Sequence, residues 1–357
     1  MMDLDYNSSL DYNSSLDYNS SLDYSDYSQL CVKESNRRFR RWFMPTFYSA
    51  IFLLALAGNL LVILTFVHFR RIRTMTDVYL LHLSFADLLF ALSLPFWAAN
   101  ATAAWALGAA ACKAVHAVYK LSLYSGMFLL TLIAVERYFL IARAVSALRY
   151  RSRAVFLGKA SAAAVWAAAL ILSLPEMSYA AVNHDTCTPY SGGADGPRVK
   201  IQAVQIALAF GVPLLVMSAC YGGIVRTLRR ARGSERSKAL KVVLAVAAVF
   251  LLGQLPYNLL LAVSTAVAAD GGAADCGVDN ALLYAADVTQ GAAFLRCCLN
   301  PFVYAFVGVK FRRDLRRLLR DSGCRGHGRS GGGRGGRGGR GRGSGATDTE
   351  TTTSFSP

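Results

Sequence analysis

The chain has 357 residues, 54% of them hydrophobic and 17% charged, with a mean hydropathy of +0.35. Soluble domains carry about 25% charged residues, so the composition argues against a cytosolic domain and for a membrane protein. The net charge of +16 is unevenly spread: residues 1–30 hold six aspartates and no Lys or Arg, while residues 310–342 are dense in Arg and Gly, which points to different partners at the two ends.

The N-terminus repeats Asp-Tyr-Asn-Ser-Ser-Leu from Asp5, Asp11 and Asp17. A six-residue period this polar builds no core, so residues 1–42 are expected to form a disordered acidic segment. Each copy carries an N-x-S glycosylation acceptor, at Asn7, Asn13 and Asn19. Acidic residues flank the tyrosines, including Tyr18, Tyr24 and Tyr27, a setting suited to tyrosine sulfation. No basic n-region and apolar h-region open the chain, so its first apolar run is expected to be both targeting signal and anchor.

A spanning helix needs about 20 mostly apolar residues. Seven stretches qualify: 43–69, 79–99, 112–140, 155–175, 201–225, 239–264 and 281–307. The expected fold is an all-α membrane protein, a seven-transmembrane helix bundle over 43–308. Loops after spans one, three and five and the segment after span seven carry about 21 Lys and Arg, against about 8 on the opposite side, which predicts an extracellular N-terminus and cytoplasmic C-terminus. Arg37, Arg38, Arg40 and Arg41, just before span one, pull the other way and are outvoted.

Beyond span seven, Phe311, Leu315, Leu318 and Leu319 share one helical face with Arg opposite. Residues 309–320 should form a short amphipathic eighth helix on anionic lipid. Cys324 follows as a palmitoylation candidate. The rest, 321–357, is expected to be a disordered cytoplasmic tail. Its Gly/Arg repeats are read as a lipid-side tether rather than a nucleic-acid binder, and Thr347–Ser356 as a phosphorylation cluster.

Of eight cysteines, Cys31, Cys112, Cys187 and Cys276 fall on the outer, oxidising side and should pair. Four cysteines allow three connectivities. No Cys-x-x-Cys zinc spacing occurs, and neither a metal nor a cofactor is expected.

Polar groups inside a bilayer are costly and mark function. Asn59 follows Gly58 in span one, and Asp87 lies in span two. Glu136-Arg137-Tyr138 ends span three, and Trp166 lies in span four. Pro213 and Tyr221 are in span five, Gln254 and Pro256 in span six, and Asn300-Pro301-Phe302-Val303-Tyr304 in span seven. Together these resemble the rhodopsin-like G-protein-coupled receptors over residues 40–320. Ser93-Leu94-Pro95-Phe96-Trp97, Leu172-Ser173-Leu174-Pro175-Glu176 and the acidic Tyr-rich N-terminus make the chain similar to the chemokine receptors. Thr74-Met75-Thr76-Asp77-Val78-Tyr79-Leu80-Leu81 and Phe294-Leu295-Arg296-Cys297-Cys298-Leu299-Asn300-Pro301 resemble the type 6 C-C group within them.

The resemblance implies disulfides Cys112–Cys187 and Cys31–Cys276. It also implies a basic chemokine ligand, the type 20 CC chemokine, gripped by the acidic N-terminus, with its flexible end near Trp97, Tyr119 and Gln290. Arg137, Tyr221 and Tyr304 would serve an inhibitory (Gi-class) G-protein, giving calcium mobilisation and leukocyte chemotaxis from the plasma membrane. Arrestin would read phosphorylated Thr347–Ser356. Four positions depart from the family: Glu136 stands where Asp is usual, Gln254 where Trp is usual, and Gln290 where many relatives carry Glu. Gly126 replaces Ser near Asp87, the aspartate linked to a sodium ion in the family.

Other classes fit less well. No nucleophile elbow, P-loop or His/Asp cluster supports an enzyme. Repeated halves with paired broken helices, common in transporters, are not visible. A scavenging receptor would be expected to have a damaged Glu136-Arg137-Tyr138 motif, which here keeps its charges.

Overall fold

Lipid offers no hydrogen-bond partner to an open backbone, so apolar runs of this length must be helical. The computed structural model describes residues 34–69, 72–103, 105–142, 153–183, 185–189, 196–230, 253–266 and 276–307. Spans one to four are α1 (Glu34–Phe69), α2 (Met75–Thr102), α3 (Gly108–Ala142) and α4 (Ala154–Tyr179). An antiparallel hairpin, β1 (Ala181–Asn183) and β2 (Thr186–Thr188), follows α4. Span five comprises α5 (Gly196–Ile206), a π-helical turn Ala207–Gly211 and α6 (Val212–Arg230). Span six is described over 253–266. Span seven is two helices, Cys276–Phe294 and Arg296–Val307. Five helical spans, one to five, are long and apolar enough to cross a membrane among the described residues.

Burial differs from that of a water-soluble bundle in its outer surface and its buried polar groups. Leu53, Val67, Phe156 and Leu215 are exposed, while Asn59, Asp87, Glu176, Arg296 and Asn300 are buried. Lipid solvates the former, and the interior must satisfy the latter. One apolar cluster, including Leu83, Met127, Ala162, Phe210 and Met217, joins spans two to five. Another, with Tyr48, Phe90, Leu94, Tyr119 and Phe294, joins spans one, two, three and seven.

Local chemistry sets the element ends. Thr74 caps α2: its hydroxyl accepts the Asp77 N–H at 3.1 Å, and the Asp77 carboxylate accepts the Thr74 N–H at 3.0 Å. Gly108 opens α3 at φ 78°, a conformation that glycine adopts without cost. Pro213 has no N–H to continue the helical ladder, and the π turn lies immediately before Val212 and Pro213.

The first helix is longer than its apolar run. Residues 34–42, grouped by composition with the disordered N-terminus, belong to α1. Aromatic packing explains the extension. Phe39 stacks on Phe43 at 4.8 Å and meets Tyr284 of span seven at 5.3 Å, and the Ser35 and Tyr284 hydroxyls lie 2.7 Å apart. The misleading Arg cluster is therefore helical, and Arg40 faces Asp287 of span seven at 3.5 Å. The expected eighth helix at 309–320, Cys324, Thr347–Ser356 and the N-terminal residues Asn7, Asn13, Asn19, Tyr18, Tyr24 and Tyr27 lie outside the described residues.

Candidate functional site

At one end of the bundle the hairpin is fastened over the helices. Cys112 and Cys187 form a disulfide, so α3 and β2 are covalently joined. Asn100 of α2 clasps the same strand: its amide donates to the Cys187 carbonyl at 3.1 Å and accepts the Cys187 N–H at 3.0 Å. Cys112, His116 and Cys187 crowd together in metal-like fashion. With both sulfurs in a disulfide, no thiolate remains to ligate an ion. Cys276 is also disulfide-bonded; Cys31, its expected partner, lies outside the described residues.

Beneath the hairpin is a cavity of about 90 Å³ that brings Trp97, Tyr119 and Gln290 together with Arg40, Lys120 and Tyr257. Its size suits a ligand's tip rather than a folded domain. Trp97 meets His116 edge-on at 4.6 Å and Tyr119 at 5.5 Å. The polar ends of Tyr119, Tyr257 and Gln290 line the same cavity. The charges are layered: Lys120 and Arg40 line the cavity, and each has a carboxylate beside it. Glu176, fully buried, lies 3.4 Å from Lys120 and accepts from Gln205 at 3.0 and 3.2 Å. The second carboxylate is Asp287 beside Arg40.

Midway through the bundle lies a polar knot. Asn300 donates to Asp87 at 2.8 Å, and the Arg296 guanidinium stands 3.5 Å from the other carboxylate oxygen. Asn59 donates to the Cys297 carbonyl at 2.9 Å. That carbonyl lacks its helical partner because the residue four positions on is Pro301, which has no N–H. Pro301 also sits where a side chain at Gly58 would be, 3.0 Å from that virtual Cβ, so Gly58-Asn59 and Pro301 dock spans one and seven together. Gln254 of span six donates to the Ala293 carbonyl at 2.9 Å, just before span seven breaks at Leu295. Pro256 lies two residues on and faces outward. Trp166 of α4 donates to His82 of α2 at 3.2 Å.

At the opposite end, Glu136 accepts the Thr76 N–H at 3.0 Å and the Thr76 hydroxyl at 2.6 Å, and Arg137 donates to that hydroxyl at 3.0 Å. Tyr138 lies over Gly223 of α6, where any Cβ would collide with its ring. Tyr221 packs on the cluster joining spans two to five. The backbone of Tyr304 continues span seven, but its side chain is outside the described residues.

The sequence reading assigned roles to none of Thr76, Asn100, Lys120, Glu176, Asp287 and Arg296. For the four charged residues the signal was present: an ionisable group within an apolar run, the criterion that singled out Asp87. Thr76 and Asn100 carry no such mark, since hydroxyls and amides near helix ends are common.

A buried Asp–Asn pair between spans two and seven, a Glu-Arg-Tyr triplet ending span three and a span-three disulfide to the following hairpin together define a receptor bundle. The family model described as 7 transmembrane receptor (rhodopsin family) matches residues 58–304, and the chain belongs to that family of seven-helix G-protein-coupled receptors. It is 43% identical to human C-C chemokine receptor type 7 over 337 residues, 93% of this chain and 89% of that protein. It is 40% identical to human C-C chemokine receptor type 6 over 303 residues, 83% and 81%, and 38% identical to human type 9 over 300 residues, 82% and 81%. Within the family it sits among the C-C chemokine receptors: a multi-pass membrane receptor and not an enzyme.

Proposed function

We propose that the chain is a plasma-membrane receptor that binds a C-C chemokine outside the cell and signals through an inhibitory G-protein, raising calcium and driving leukocyte chemotaxis. The carrying observation is that the Asp87–Asn300–Arg296 knot lies between a cavity at one end and Arg137 at the other. A bundle with two such ends can respond to a ligand only if the ligand binds one packing better than another.

In this reading the acidic N-terminus, sulfated on Tyr18, Tyr24 and Tyr27, captures the basic body of the ligand, and opposite charge speeds the encounter. The ligand's flexible end then enters beside Trp97, Tyr119 and Gln290. The N-terminus is extracellular and the C-terminus cytoplasmic, following the Lys and Arg asymmetry. The amphipathic segment 309–320 and Cys324 hold the tail to lipid, and phosphorylated Thr347–Ser356 recruits arrestin. The type 20 CC chemokine is the first ligand to test, since the segments around Met75 and Arg296 resemble the type 6 receptors.

The deciding experiment measures cyclic AMP in cells expressing the chain, with each C-C chemokine in turn. A ligand-dependent fall is expected. Saturable binding with no fall for any bound chemokine would overturn signalling and leave a scavenger.

A further inference from the structure

In the rhodopsin family, the span-two aspartate is associated with a sodium ion. Here the surroundings of Asp87 do not fit one. Both partners at this point are inside the bundle, Asp87 fully buried and Arg296 3% exposed. One Asp87 oxygen accepts from Asn300 at 2.8 Å, and the other faces the Arg296 guanidinium at 3.5 Å. The carboxylate is thus already matched by a fixed cation.

Gly126 shows that the space is shaped for that cation. A Cβ added at Gly126 would lie 2.5 Å from one terminal nitrogen of Arg296, 3.1 Å from the other and 3.2 Å from the central carbon. The guanidinium therefore points its edge, one terminal nitrogen foremost, at the bare backbone of α3, in the volume a serine side chain would take. One replacement removes a hydroxyl that could ligate a hard cation, which wants oxygen donors. The other fills the same volume with a positive charge. Adding sodium would leave a net positive charge in the bilayer interior and place two cations against one carboxylate.

We propose that Arg296 and Gly126 together replace the sodium ion with a covalently attached cation, so that the switch of this receptor does not respond to sodium. Arg296 is a positioning residue: it holds Asp87 and, through it, Asn300 in one arrangement. Ionic conditions that bias sodium-binding relatives leave this chain unmoved. The inference rests on the receptor fold and not on the choice of ligand or G-protein.

The test uses purified full-length receptor without ligand. Thermal unfolding midpoints are compared in about 0.15 M sodium chloride and the same concentration of potassium chloride, so that screening is equal. The wild type is expected to give the same midpoint in both salts. The double variant Gly126→Ser/Arg296→Asn, which restores a hydroxyl and removes the cation, is expected to unfold several degrees higher in sodium. A wild-type midpoint that rises by several degrees in sodium over potassium overturns the proposal. So does a folded double variant with no sodium preference. If the double variant does not fold, Gly126→Ser/Arg296→Gln takes its place under the same criterion, and the wild-type comparison decides independently of both.

Discussion

The Thr76 hydroxyl stands between the charges of Glu136 and Arg137, donating to the first at 2.6 Å and accepting from the second at 3.0 Å. Thr76 lies in the first turn of α2, where free N–H groups and the helix dipole favour a carboxylate. The Glu136 carboxylate takes that place and also accepts the Thr76 N–H. The arrangement fastens the end of α3 to the start of α2 and keeps Arg137 turned toward α2.

Replacing Thr76 with Val removes the hydroxyl at nearly constant volume. A hydrogen bond to a charged group contributes about 1.5–3 kcal/mol, so the variant should release Arg137 and raise ligand-independent coupling several-fold. Basal nucleotide exchange on the G-protein, measured against receptor number, checks this. Unchanged basal exchange would show that Thr76 does not restrain Arg137.

Arg137→Ala should abolish G-protein coupling and leave surface expression intact, because Arg137 is half-buried and donates to the Thr76 hydroxyl at the end of the bundle. Surface staining beside the cyclic AMP response separates loss of coupling from loss of protein. Normal coupling would remove Arg137 from the readout.

Asn59→Ala should lower stability by about 1–3 kcal/mol, the cost of leaving a buried acceptor without a donor. The acceptor is the Cys297 carbonyl, which Pro301 denies its helical bond. A thermal midpoint equal to wild type would mean that water replaces the amide.

Lys120→Met strips the cation from fully buried Glu176 and should cost up to about 3–5 kcal/mol, since a buried carboxylate loses its half-buried partner. Lys120→Met/Glu176→Leu should recover much of that loss, because the uncompensated charge is gone. A double variant as unstable as the single one would show that packing, not charge, dominates at this site.

Replacing Tyr18, Tyr24 and Tyr27 together with Phe should weaken chemokine binding, mainly by slowing association, since each loses a site for a sulfate charge. Association rates measured at two salt concentrations check this. Equal rates for wild type and variant would leave the acidic repeats as a plain spacer.

The sequence by itself determined the bundle and its membrane setting. Apolar runs of spanning length can only be helices in lipid, and an Asp or Arg within such a run is too costly to be accidental. Asp87, Asn300 and the Glu136-Arg137-Tyr138 triplet were legible for that reason. Only the tertiary structure decided which polar groups meet. Asp87 and Asn300 are 213 residues apart, and no local pattern says that Arg296 is their third member or that Gly126 makes room for it. The Thr76 bridge was equally hidden, because a threonine near a helix start has many ordinary partners. Helix periodicity fixes which face a residue occupies, whereas packing of distant helices fixes what that face touches.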